Sequence, residues 1–143
     1  MVISLSLSKQ LYEAGLRIET EKVYCNLKKQ WRENEDRFAL YDNDTAKARK
    51  YNDKLDEQYP APSTDELLAV MPYKINTVDY LIIRKAFESW YVQYWDYESR
   101  EMAVKIKDDL LPEALAKMCL WLLQNGYKYN EEQKCLIKEE RKA

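Results

Sequence analysis

The segment EALAKMCLWLLQN, residues 113–125, constrains the fold most, because it predicts a helix with almost no polar side. Its polar residues Glu113, Lys117 and Gln124 recur at spacings of four and seven and form one narrow stripe. The chain has 143 residues, of which 34% are charged. It contains no apolar run of roughly 18 residues, the length that could span a membrane. Other elements of the same domain must therefore cover most of this helix.

Three β-rich runs can supply that cover. They are VDYLIIRK, SWYVQYWDY and EMAVKIK, and the short connections AFE and ESR predict an antiparallel meander. The second run presents two different sets of side chains, with Trp90, Val92 and Tyr94 on one face and Tyr91, Gln93, Trp95 and Tyr97 on the other. In the third run, the spacing of Met102, Val104 and Ile106 predicts an apolar face.

The N-terminal half predicts a short helix followed by a hairpin. Ser8 can cap a helix over residues 9–14, and Gly15 stands where a left-handed C-terminal residue belongs. The run KVYCNLKKQW places Val23, Cys25, Leu27 and Trp31 on one face of a strand. RENED then predicts a turn, and RFALYD the returning partner strand. Residues 42–58 are charged throughout and fit either a solvated helix or a loop.

A second short helix is predicted over residues 64–71. Ser63 and Glu66 have the spacing of a capping box, and Pro72 stops the helix. We expect Leu67, Leu68 and Met71 to face inward.

These elements predict one α+β domain over residues 1–130. Its antiparallel sheet comprises the N-terminal hairpin plus the three-stranded meander, and it packs against the long apolar C-terminal helix and the two short helices. Residues 131–143 are charged and are expected either to fray or to add a short edge element. The chain has only two glycines, which limits tight hairpins and leaves no glycine-rich phosphate loop.

The residues offer little for catalysis. The absence of histidine excludes mechanisms that use histidine as base, shuttle or metal ligand. Cys25, Cys119 and Cys135 have no metal or disulfide spacing, and Cys119 lies in the apolar helix, where a thiol is a poor nucleophile. The pairs Asp108 with Asp109 and Glu98 with Glu101 are typical of charges near helix starts and turns. We therefore predict a non-enzymatic protein with no cofactor.

A calcium loop is also rejected. Asp42, Asp44 and Asp53 have a superficially similar spacing, but Lys47 stands where the loop needs glycine. Asp53 stands where the loop needs a bidentate glutamate. We predict no metal site.

Tyr91, Trp95 and Tyr97 form the candidate partner surface. With Arg84 and Lys85 on a neighbouring strand, they could stack single-stranded bases, or they could belong to a second packed layer, which regular aromatic spacing favours. If the face is exposed, a protein partner is favoured over nucleic acid. The net charge is −2, and no basic stripe is visible along the chain.

Three strings suggest a relationship. LSKQLYEAGLRIETEKVY, YPAPSTDELLAVMP and LPEALAKMCLWLLQNGY resemble a family of small bacteriophage and prophage proteins with no established activity, in which LSKELYEAG, APSxxELLxxLP and ALAKMWLWLxxNGY recur. The resemblance covers about a third of the chain, and Cys119 replaces a residue that is commonly aromatic in that family. It implies a fold and a phage context, but no catalytic or binding residues.

The resulting hypothesis is a phage or prophage accessory protein that binds an unknown protein partner in the bacterial cytoplasm. The N-terminus lacks the basic start and cleavage site of an export signal. Two alternatives remain open. One is a weak single-stranded nucleic-acid binder that uses the aromatic face. The other is a structural protein that self-associates, so that a second copy covers the apolar helix.

Overall fold

The computed structural model describes residues 1–26, 38–52 and 57–138. It confirms a mixed α+β fold with antiparallel sheets. The expectations for Leu27, Trp31 and the RENED turn lie outside the described residues. The hairpin and the meander, which the sequence suggested as one sheet, belong to two separate sheets, and each has an additional strand.

The first helix, α1, spans Leu5–Glu13 and begins earlier than expected. Its N-cap is Ser4, whose hydroxyl oxygen accepts a hydrogen bond from the backbone N–H of Leu7 at 3.4 Å. Ser8, the expected cap, is buried inside the helix. Gly15 has φ 106°, the left-handed conformation that ends the helix as predicted.

The first sheet contains β1 (Lys22–Asn26), β2 (Phe38–Asp42) and β3 (Gln58–Ala61), in the order β2-β1-β3. Both pairings are antiparallel, which confirms the predicted hairpin. Val23 and Cys25 are buried against Ala46 of α2, which spans Asn43–Asn52. The charged segment is therefore helical as far as Asn52.

Helix α3 spans Thr64–Val70 and has the predicted capping box. The N–H of Ser63 donates to Glu66 Oε1 at 2.9 Å, and the N–H of Glu66 donates to Ser63 Oγ at 3.3 Å. Leu67 is buried, but Leu68 is 36% exposed and Val70 is buried. The inward assignment of Leu68 was therefore wrong, because the helix buries positions 67 and 70 instead.

The second sheet contains β4 (Lys74–Ile75), β5 (Asp79–Ala86), β6 (Ser89–Asp96) and β7 (Glu101–Asp108), in that order. The predicted meander is confirmed. Its first turn consists of Phe87 and Glu88 alone, and Phe87 has φ 58°. A tight hairpin thus forms without glycine, and a phenylalanine adopts the left-handed conformation.

Pairing between β6 and β7 is regular except for a bulge. Tyr94 pairs with Val104, but Trp95 pairs with Met102, so Ala103 is an extra residue on β7. Met102 therefore shares the face of Trp95 and not that of Val104. The expected alternation of Met102 with Val104 and Ile106 fails at this bulge.

Helix α4 spans Leu111–Gln124, and Pro112 lies in its first turn. Its buried residues are Pro112, Ala114, Leu115, Ala116, Met118, Cys119 and Leu122. All of them except Pro112 belong to one core cluster that includes Leu7 and Leu11 of α1, Leu67 of α3, and Val92 and Tyr94 of β6. Gly126, with φ 91°, follows the helix.

Strands β8 (Tyr127–Asn130) and β9 (Cys135–Lys138) form an antiparallel hairpin after α4. Leu136 is 1% exposed and belongs to the same core cluster as α4. The charged segment after residue 130 thus contributes a strand and a core side chain.

Candidate functional site

The meander has two faces with different roles. The inner face packs against α4 and carries Val92 and Tyr94, neither of which has exposed surface. The hydroxyl of Tyr94 donates a hydrogen bond to the carbonyl of Pro72 at 2.7 Å, and burial raises the pKa of Tyr94. The part of this face around Val92 and Tyr94 belongs to the core.

The opposite side of the sheet is called the outer face. The pairing register gives its strand residues as Lys74, Tyr80, Ile82, Arg84, Ala86, Ser89, Tyr91, Gln93, Trp95, Met102, Lys105 and Lys107. Tyr80 is 39% exposed and Met102 40% exposed, so the face meets solvent there. In the described part of the chain, the strands of the first hairpin pair in a separate sheet, and their buried residues belong to a separate cluster.

The structure brings the three predicted surface residues to this side of the sheet. Tyr91 and Trp95 are half-buried on β6, and Tyr97 follows the strand and is 63% exposed. The ring centroid of Tyr97 lies 6.1 Å from that of Tyr80, with the ring planes tilted by 55°. Trp95 pairs with both Tyr80 and Met102. These residues form an apolar patch at one end of the outer face.

Cations lie against the aromatic rings of this face. The Arg84 guanidinium is 4.6 Å from the ring centroid of Tyr91, and Lys105 Nζ is 5.5 Å from the same centroid. Lys74 Nζ is 5.2 Å from the centroid of Tyr80. These distances are within the range of cation–π attraction.

Charge is segregated on this sheet. The outer-face strand residues include four cations, Lys74, Arg84, Lys105 and Lys107, and no carboxylate. This segregation is not visible along the chain, because the cations lie on three different strands and are far apart in sequence. Arg84 was correctly placed beside the aromatic residues. Lys85 was not, because it lies on the other face, 5.4 Å from the ring of Trp90.

Gln93 occupies the middle of the outer face, between Tyr91 and Trp95 on the same strand. Its side chain is 7% exposed, and its amide oxygen has no hydrogen-bond partner among the described residues. A buried acceptor without a partner costs about 1 to 3 kcal/mol. The centre of this surface therefore keeps a polar group that stability alone does not explain.

Tyr80, Met102 and Phe87 were not recognised as surface residues from the sequence. Tyr80 could have been found by pairing the strands, whereas Met102 depends on the bulge. Phe87 is 100% exposed at the tip of the β5–β6 hairpin. Nothing in its sequence context distinguishes it from a buried aromatic residue.

The cysteine thiols and the carboxylate of Asp108 lie in surroundings that fit a structural role. Burial raises the pKa of the Cys119 thiol to about 12, and no disulfide bond joins Cys25, Cys119 and Cys135. No group of three metal-ligating side chains occurs in residues 1–26, 38–52 and 57–138. Burial disfavours ionisation of Asp108, but hydrogen bonds from Lys117 Nζ at 2.6 Å and from the N–H of Leu110 at 3.0 Å prevail and lower its pKa.

A cleft of about 900 Å³ lies between the α1–β1 connection, α3 and the β8–β9 hairpin. Two of the carboxylates that line it, Glu66 and Glu19, already hold local structure. Glu66 caps α3 and accepts a hydrogen bond from the N–H of Glu21 at 3.0 Å, and Glu19 pairs with Lys47 at 2.8 Å. Because these carboxylates are already engaged in contacts between neighbouring elements, the outer face is the better candidate site.

Comparisons of the chain with protein families, with curated proteins and with solved structures found no match. Across the described part of the chain, no helix has the length and apolar character needed to cross a bilayer.

Proposed function

We propose that this protein is a non-enzymatic binding module that recognises another protein through the outer face of its meander. The observation that supports this most strongly is the open patch of Trp95, Tyr97, Tyr80 and Met102 beside the cation-flanked Tyr91. Tyrosine, tryptophan, methionine and arginine are enriched in protein interfaces, and tryptophan, tyrosine and arginine in their energetic hot spots. The sheet beneath the patch is anchored to α4, so the surface is preorganised for binding.

The cellular context rests on the sequence resemblance. The three strings that resemble phage and prophage proteins suggest an accessory protein acting in the bacterial cytoplasm, with a host or phage protein as its partner. The absence of histidine and the burial of Cys119 favour binding over catalysis.

Affinity capture with matched variants tests the proposal. Tagged wild-type protein, Tyr97→Ala and Tyr73→Ala are each incubated with a nuclease-treated bacterial lysate, and the retained proteins are compared by mass spectrometry. Tyr73 is the control because it is 76% exposed and lies outside the outer face. We expect a discrete protein that wild type and Tyr73→Ala retain and that Tyr97→Ala loses.

The proposal fails if Tyr97→Ala and Tyr73→Ala retain the same proteins as wild type. Circular dichroism of both variants serves as the folding control. Because both side chains are mostly exposed, each substitution should change the stability by less than about 0.5 kcal/mol.

Single-stranded nucleic acid is the second candidate partner, and the segregation of four cations onto the outer face favours it. Aromatic rings and cations on a sheet surface are the groups that bind such strands. Capture that disappears on nuclease treatment would bring this candidate forward.

A further inference from the structure

Resting on the proposed function, we propose that the partner presents an acidic segment to the outer face. In this arrangement, carboxylates of the partner bind Arg84, Lys105 and Lys107, while an adjacent apolar side chain packs on Trp95 and Met102.

The cations are close enough together to act as one site. Tyr91 pairs with Arg84 on β5 and with Lys107 on β7, and Lys105 pairs with Gln93, the next residue but one on β6. Directly paired residues in antiparallel strands are separated by about 4.5 to 5.5 Å. Three cations therefore surround Tyr91, and no strand residue of this face supplies a carboxylate to neutralise them.

The aromatic contacts favour carboxylates over nucleic-acid bases. Arg84 and Lys105 already lie against the ring of Tyr91, so a base would have to displace a cation in order to stack on that ring. A carboxylate can accept charge-assisted hydrogen bonds from the same cations while they stay in place. The apolar patch around Trp95 then provides the contact area that an apolar partner side chain needs.

The charge also argues against a second copy of the same face. A symmetric dimer places the same patch of both copies in contact, so it would bring the cations of one copy against the cations of the other. Asp109, which lies just beyond the end of β7, accepts a hydrogen bond from the hydroxyl of Ser89 at 3.0 Å. An acidic segment from a different protein does not meet this repulsion.

The test uses fluorescein-labelled probes and fluorescence anisotropy. One peptide alternates Glu with Phe, a second alternates Lys with Phe, and the third probe is an oligo-dT strand of the same charge as the Glu peptide. Each probe is titrated with wild-type protein, Arg84→Glu and Lys85→Glu. The last two form a matched pair. Each replaces a cation of β5 that lies beside an aromatic ring of β6, but the two cations are on opposite faces of the sheet.

We expect wild type to bind the Glu–Phe peptide and not the Lys–Phe peptide. Arg84→Glu should weaken this binding by about tenfold or more, since it replaces an attraction by a repulsion, and raised salt should also weaken it. Lys85→Glu should stay within about twofold of wild type, because Lys85 is outside the site. Three results overturn the inference: no preference for the acidic peptide, equal losses in the two variants, or tighter binding of oligo-dT.

The lysate experiment separates this inference from the proposed function. A captured protein that is lost with Tyr97→Ala but kept by Arg84→Glu would support the outer face as the binding surface and overturn the acidic partner. A captured protein that neither substitution affects would overturn both proposals.

Discussion

Tyr94 and Trp95 are neighbours on β6 but lie on opposite faces of the sheet. Tyr94 has no exposed surface and donates a hydrogen bond to Pro72, whereas Trp95 is half-buried beside exposed aromatic residues. The inner face is filled by one core cluster that also holds α4, while the outer face collects cations and rings in contact with solvent. Alternate residues of one strand can thus be constrained by packing on one side and remain available for binding on the other.

The largest expected difference between the faces is in folding stability. Tyr94→Ala should lower the free energy of unfolding by about 3 to 5 kcal/mol, because it opens a cavity and leaves the Pro72 carbonyl without its donor. Trp95→Ala should cost less than half as much, since part of the indole already meets solvent. Urea denaturation of the two variants measures both values, and equal losses would show that the outer face is also part of the core.

A substitution of Gln93 shows whether this residue of the outer face stabilises the fold. Gln93→Met keeps the side-chain volume and removes the unpaired amide oxygen, so we expect the free energy of unfolding to rise by about 1 kcal/mol. Gln124→Met, at an exposed position on α4, is the control and should change little. A destabilised Gln93→Met would mean that the amide is hydrogen-bonded in solution.

The smallest expected effect on stability is that of a substitution of Asp108, at the margin of the inner face. Its pKa is lowered in the folded state, so its ionised form stabilises the fold above the ordinary aspartate value of 3.8, and this contribution is lost as the pH falls further. Asp108→Asn should therefore cost less than about 1 kcal/mol at neutral pH and still less near pH 2.

Urea denaturation of wild type and Asp108→Asn at both pH values measures the change. Asp109→Asn is the control at the neighbouring, exposed carboxylate. A cost that does not depend on pH would rule out the ion pair with Lys117 as its origin.

The elements that the sequence predicted well are those whose signals are local. The capping box of Ser63 and Glu66, the terminal position of Gly15 and the assignment of the β6 residues to two faces each depend on a few neighbouring residues, and the structure has all three. The first helix was misplaced because both Ser4 and Ser8 are competent caps, and only packing against α4 decides which is used.

The charge of the candidate site could not be predicted because it depends on pairing between strands. Arg84 and Lys107 are far apart in the chain, and only the strand register places them on either side of Tyr91, on the two flanking strands. Net charge conceals such segregation, since it sums over all faces. Leu68 shows the same limit on a helix, where the buried side depends on what the helix packs against.

The extra residue at Ala103 makes this surface depend on strand register as well as on residue identity. If Ala103 instead paired with Trp95 in a regular ladder, the alternation of sides would turn Met102 toward the inner face, away from Trp95. Removal of Ala103 would make the pairing regular and leave Met102 opposite Trp95. The contact between Met102 and Trp95 should therefore survive the loss of Ala103 but not its incorporation into the strand pairing.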